Sequence, residues 1–195
     1  MADAASNNGV LDVTEAQDSR VEWADVARLH EYHPRLRAAD WRSPLVRRLL
    51  RSDRYEDGQQ SIDAVHRAAE DADVPVQPCL LHWEGLGPDY RQCLATYQTA
   101  VITELATLGL ACILVAHCTA LEITEVTRRG EKADYWLGDK ELMLEVSGEQ
   151  SGNIEELCAT KAEQLLRNPF GKAGYVCVAV YNNTAARLRF YRALP

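Results

Sequence analysis

The chain has 195 residues with 21 Lys+Arg against 29 Asp+Glu, a formal net charge of -8 at pH 7, which excludes a protein that coats nucleic acid through bulk positive charge. A 47% hydrophobic and 26% charged composition suits one good core, or one core plus a small appendage, and is neither disordered nor fibrous. No stretch approaches the roughly 20 apolar residues that cross a bilayer, and the opening MADAASNNGVLDVTEAQDS has neither a basic nor an apolar leader region, so the chain reads as cytoplasmic with no membrane partner.

Residues 1–19 have no sustained apolar period and are expected to form a flexible tail. Residues 20–88 read as a helical N-terminal arm and connector. The helical pattern runs from Val21 to about Ala72, interrupted by Pro34, Pro44 and Asp57-Gly58. Ser43-Pro44 reads as an N-cap followed by a first-turn proline that opens PLVRRLLR. That helix would present Leu45, Leu49 and Leu50 on one side and Arg47, Arg48 and Arg51 elsewhere, as a basic amphipathic surface. A second helix is expected from about Gln60 to Asp71. Residues 73–90, with three prolines and two glycines around an apolar patch, suit an irregular connector.

Residues 89–195 form the third unit. From Arg91, RQCLATYQTAVITELATLGL predicts an apolar-periodic helix ended by Gly109. Runs of strand length follow at 112–118, 121–127, 133–139, 141–148, 174–181 and 187–192. Between the fourth and fifth lies a helix from Asn153 to Asn168, capped by Asn153 with Glu155 and Glu156 in its first turn. GYVCVAVY is apolar at nearly every position, as a central strand covered on both faces should be, and the helix makes it the end of a βαβ crossover. The fold class is therefore α/β (α+β): an α-β-β-β-α-β core with a central mixed sheet, preceded by the helical arm. The six cysteines include no CxxC pair and read as reduced core thiols.

Two carboxylates stand out by position. Asp134 begins one strand after the turn RRGEK, and Glu145 lies in the next, inside LMLEVSG, with Gly138-Asp139 as the hairpin turn. Side chains on neighbouring strands can converge, and a carboxylate pair suits a hard divalent cation such as Mg²⁺. The bland alternative has Glu145 alternating outward and Asp134 merely starting a strand. On the following helix, Ile154, Leu157, Cys158 and Leu165 fall in one stripe, with Glu156, Glu163 and Arg167 opposite. Lys161 falls inside the apolar stripe, where a lysine must snorkel, lose its proton or pair with carboxylates below it. Gln164 lies on the flank of that face.

These residues resemble the PD-(D/E)xK, or restriction-endonuclease-like, nuclease superfamily over about residues 91–192, in element order and in the spacing of Asp134 and Glu145. The resemblance implies that Asp134 and Glu145 bind Mg²⁺ (or Mn²⁺). The family's lysine two residues after the glutamate falls here on Ser147. Some branches move it to the following helix, where Lys161 would take its part, and Gln164 matches a glutamine of exonuclease-like branches. Glu104 corresponds to an acidic residue that some members add as a metal ligand. The implied activity is phosphodiester hydrolysis of DNA, or of RNA, as a subunit of a larger DNA-processing or phage-defence complex. Nucleic-acid contacts would come from Arg128 and Arg129 beside the site and from Arg187 and Arg189 on the last strand, with further basic surface at Arg192 and at 47–51. The arm would dock a protein partner, and a homodimer stays open.

Two other readings remain: a catalytically inactive nuclease-fold adaptor, with Ser147 marking lost activity, and an acidic immunity-type protein that mimics nucleic acid. His30 and His33 have a zinc-like spacing without further ligands. His82 and His117 read as core histidines, and Trp23, Trp41 and Trp83 as packing anchors. The charge divides unevenly: residues 1–88 carry 10 basic and 16 acidic residues, residues 89–195 carry 11 and 13, so most of the acidity lies outside the nuclease-like unit.

Overall fold

The computed structural model describes residues 23–69, 72–76 and 79–192; the expected tail at 1–19 lies outside them. In chain order the elements are β1 (Trp23–Asp25), α1 (Leu29–Tyr32), α2 (Arg42–Leu50), β2 (Gly58–Ser61), β3 (Asp63–Arg67), β4 (Val74–Pro75), β5 (Leu80–Trp83), α3 (Gly87–Thr96), α4 (Thr99–Thr119), β6 (Ile123–Val126), β7 (Tyr135–Leu137), β8 (Leu142–Glu149), α5 (Ile154–Leu166), β9 (Gly174–Val180) and β10 (Ala185–Tyr191). Seven strands form one mixed sheet in the order β4-β3-β10-β9-β8-β7-β6, and β1-β5-β2 form a small second sheet. The class is mixed α/β, as expected.

The second half follows the predicted order closely. β6, β7 and β8 are an antiparallel meander, β8 and β9 pair in parallel across α5, and β10 returns antiparallel to β9. Every residue of β9 is buried, because α4 and α5 cover opposite faces of the sheet. On one face Leu144, Cys177 and Ala179 meet Ala106, Leu110 and Ala111 of α4. On the other Met143, Val176 and Val178 meet Cys158, Ala162 and Leu165 of α5. The Asn153 side chain accepts from the Glu155 and Glu156 amides, starting α5 where the cap signal placed it. All six cysteines are free thiols, five of them buried.

Several expectations are corrected. Residues 112–118 are the last two turns of α4 rather than a strand. Gly109 does not end that helix; it is buried within it, where an added Cβ would meet the Trp41 carbonyl oxygen at 3.2 Å and Leu29 Cδ2 at 3.3 Å, so its work is close helix approach. The real break comes earlier, at extended Tyr97, which separates α3 from α4. α4 is therefore a 21-residue segment long and apolar enough to cross a membrane by length and composition, contrary to the first expectation. It is mostly buried within the protein, between α2 and the sheet.

The helix expected over Gln60–Asp71 is replaced by β2 and β3 through Arg67, and its last two residues lie outside the described ones. Tertiary context overrides local pattern here, since β3 pairs in parallel with β10 on one side and with the edge strand β4 on the other. Val26, Leu29, Leu45, Val46 and Leu49 join one continuous core with Leu144, Cys177 and Leu188, so the described residues between 23 and 88 share the core of the sheet. The helix at 42–50 exists, but Ser43 is buried inside its first turn instead of capping it. Its arginines are not a basic surface. Arg47 pairs with Asp53 at 2.7 Å, Arg48 is buried and donates to the Thr99 carbonyl, and Arg51 donates to the Tyr181 and Asn182 carbonyls.

Candidate active site

β7 and β8 pair in register through Tyr135–Leu137 and Leu142–Leu144, and the Asp134 amide adds a last bond to the Leu144 carbonyl at 3.0 Å. Beyond that point the strands part, and the parting builds the site. Asp134, just before β7, turns its carboxylate across the gap and accepts the Val146 amide of β8 at 2.8 Å through Oδ2. Glu145 alternates to the α5 face of β8 and is fully buried. Lys161, on the buried stripe of α5, donates from Nζ to Glu145 Oε1 at 2.8 Å and to Gln164 Oε1 at 3.3 Å. The other oxygen, Glu145 Oε2, is buried and receives no N–H donor among the described residues, while the Glu145 and Asp134 carboxyls are close enough to hydrogen bond when one of them carries a proton.

The electrostatics follow from this geometry. Burial, then repulsion from Asp134, pushes the Glu145 carboxyl up to about 7, against the pull of Lys161. Burial also raises Asp134, opposed by the Val146 amide and by Lys161. Two desolvated carboxylates served by one lysine amount to a deficit of positive charge.

A cleft of about 510 Å³ opens beside Asp134, lined by Asp134, Val146, Ser147 and Gly148 from the sheet, by Lys161 of α5 and by Ala100 and Glu104 of α4; Glu145 lies beneath it and is not part of the lining. A second cleft of about 360 Å³, sharing Val126 and Asp134 with the first, is lined by Arg128, Arg129, Lys132 and Gln164. Sequence reasoning thus placed Asp134, Glu145, Lys161 and Gln164 in one contact network. Glu104 is exposed on the far wall, and among the described residues no three acidic, His or Cys side chains form a metal-holding cluster. Lys132 was missed, although it stands in the same RRGEK turn as the two arginines.

Arg187 and Arg189 are drawn into ion pairs on the protein itself. Both pair with Glu155, and Arg189, itself buried, also pairs with Asp73. This network fastens α5 and the segment after β3 to β10. His33 is a core residue rather than a zinc ligand: Nδ1 accepts the Ile123 amide, leaving Nε2 to donate to the Cys112 carbonyl at 2.9 Å.

The donor set fits a divalent cation. Asp134 and Glu145 Oε2, which receives no N–H donor among the described residues, are hard oxygen donors, and Mg²⁺ is commonly held by one or two carboxylates with water completing its shell. No protein-family model, curated protein or solved structure matches the chain.

Proposed function

We propose that the chain is a Mg²⁺-dependent nuclease of the PD-(D/E)xK kind, hydrolysing phosphodiester bonds at the parting of β7 and β8. The observation that carries this reading is the contact of Lys161 with Glu145 at 2.8 Å, made from the helix after the sheet while Ser147 occupies the usual lysine position. The sheet order around it, an antiparallel meander joined by a helix to a parallel strand, supports a restriction-endonuclease-like core. Asp134 and Glu145 would hold the cation, with Glu104 reaching in from α4. Such an ion lowers the pKa of a bound water and polarises the phosphate. Lys161 positions the attacking water and offsets charge developing on the phosphate, and Gln164 holds the Lys161 ammonium in place. Arg128 and Arg129 line the adjoining cleft and anchor neighbouring phosphates; DNA is the first substrate to test and RNA the second.

The test is metal-dependent cleavage of single- and double-stranded DNA and RNA. Wild type cuts with Mg²⁺ or Mn²⁺, while Glu145→Ala and Lys161→Ala, shown folded by circular dichroism, do not. Retained cleavage in both variants removes the assignment. A second reading is an inactive adaptor of the same fold, favoured by one observation: the ion pair with Lys161 already occupies Glu145 Oε1. Calorimetric titration with Mn²⁺ separates the two, because the adaptor shows no heat that depends on Asp134.

A further inference from the structure

α2 crosses the start of α4, and Arg48 lies at their junction. Its side chain is 6% exposed, and among the described residues no carboxylate pairs with it. Nη2 donates to the Thr99 carbonyl at 2.5 Å and Nη1 to Gln150 Oε1 at 3.3 Å, while Nε is buried without a partner. A cation buried against neutral acceptors alone carries an unbalanced desolvation cost. Burial and the neighbouring Arg47 both lower the Arg48 pKa, as expected of a guanidinium that lacks an anion.

The space beside it completes the argument. Arg48 lines a cleft of about 360 Å³ together with Arg47, Asp53, Tyr97, Thr99 and Ile102. Thr99 and Ile102 bring to it the first turn of α4, a 21-residue helix whose N-cap residue, Gln98, gives no side-chain cap. The first intrahelical bond described there runs from the Ile102 amide to the Gln98 carbonyl, so the Thr99, Ala100 and Val101 amides have no acceptor within the helix. Those three residues are exposed. Thr99 at the helix N-terminus, a buried arginine lacking a counter-ion and a second arginine thus share one recess. Arg47 is held by Asp53, whose carboxylate is 81% exposed, and a pair so solvated is easily exchanged.

We propose that this recess binds a phosphate group, with Arg48 and Arg47 supplying the charge and the Thr99 amide, the first of α4, a directional donor. Ala100 also lines the cleft above Asp134, so the anion would sit beside the candidate active site but on different residues. The proposal therefore stands apart from the metal reading. Its source is either a small phosphate or nucleotide, or the terminal phosphate of a nucleic acid strand.

The test is titration of the full chain, in EDTA, with inorganic phosphate and with AMP, followed by calorimetry and by backbone amide resonances. Saturable binding that shifts the Thr99, Ala100 and Val101 amides is expected. Arg48→Gln and Arg47→Gln should each weaken it about tenfold or more. The Arg47 change keeps the test decisive if Arg48→Gln fails to fold. Short oligonucleotides with 5′-phosphate or 5′-hydroxyl ends then assign the source: preference for the phosphorylated end points to a strand terminus, and equal binding of the two points to a small molecule. Absence of saturable phosphate binding by folded wild type, or unchanged affinity in the folded arginine variants, overturns the proposal. Loss of Mn²⁺ binding or cleavage leaves it unaffected.

Discussion

The buried carboxyl of Glu145 makes a quantitative statement about stability. Its folded pKa of about 7 lies above the ordinary 4.5, so between those values the folded chain binds a proton that the unfolded chain has released. Stability therefore falls as pH rises through this window. Glu145 is fully buried, so the whole shift applies; at about 1.4 kcal/mol per pKa unit the loss is about 3 kcal/mol, complete a little above pH 7. That is a large part of the 5–15 kcal/mol typical of a domain. Urea unfolding from pH 5 to pH 8.5 in EDTA measures it. Glu145→Gln, which keeps the shape and still accepts from Lys161, should flatten this part of the profile. Burial lowers the His33 pKa and gives it the opposite slope, so the difference between variant and wild type is the quantity to read. Mn²⁺ at pH 8 should raise the wild-type midpoint and leave Glu145→Gln unchanged. A profile equally steep in Glu145→Gln would falsify the placement of this carboxyl.

Gly174→Ala would drive a Cβ to 2.2 Å from the Met143 carbonyl oxygen; because backbone cannot yield as a side chain does, a loss of about 2–3 kcal/mol by urea unfolding is expected. His33→Ala leaves the Ile123 amide and the Cys112 carbonyl without their buried partner, which should cost about 2–4 kcal/mol in the same assay. Arg189→Met should lower the melting temperature without changing nucleic acid affinity at a fixed temperature below it. Arg128→Ala and Arg129→Ala should weaken binding and each reduce the salt dependence by about one counterion; the opposite pattern would return Arg189 to the interface.

What could be read before the structure was whatever depended on local chemistry. The Asn153 cap, the all-apolar run at 174–181 and the lone lysine in an apolar stripe each carry their own reason, and together they placed Asp134, Glu145 and Lys161 in one site. The errors arose where partners distant in sequence decide. Residues 112–118 have the composition of a buried strand and of a buried helix alike, and only packing under α2 and over β8 separates the two. Gly109 looked like a helix end because a glycine needed for close approach of Trp41 leaves the same mark as a C-cap. Arg187 and Arg189 alternate as an exposed strand face would, but Glu155 and Asp73, remote in sequence, cover them. Nothing near Gln60 announces that residues 63–67 will pair with a strand more than 100 residues later.

That pairing bears on how the protein is made. β3 leaves the ribosome well before β10, and at about 5–20 residues per second it waits roughly 6–24 s for the strand that completes the large sheet. During the same interval α4, with a mean hydropathy of 2.0 over its most apolar stretch, is synthesised before β8, β9 and β10 exist to cover it. The nascent chain thus presents an apolar helix and an unpaired strand together, and the fold closes only when its last strand is released. C-terminal truncation within β10 should consequently leave a chain held by chaperones or lost to aggregation, rather than one that merely lacks an edge.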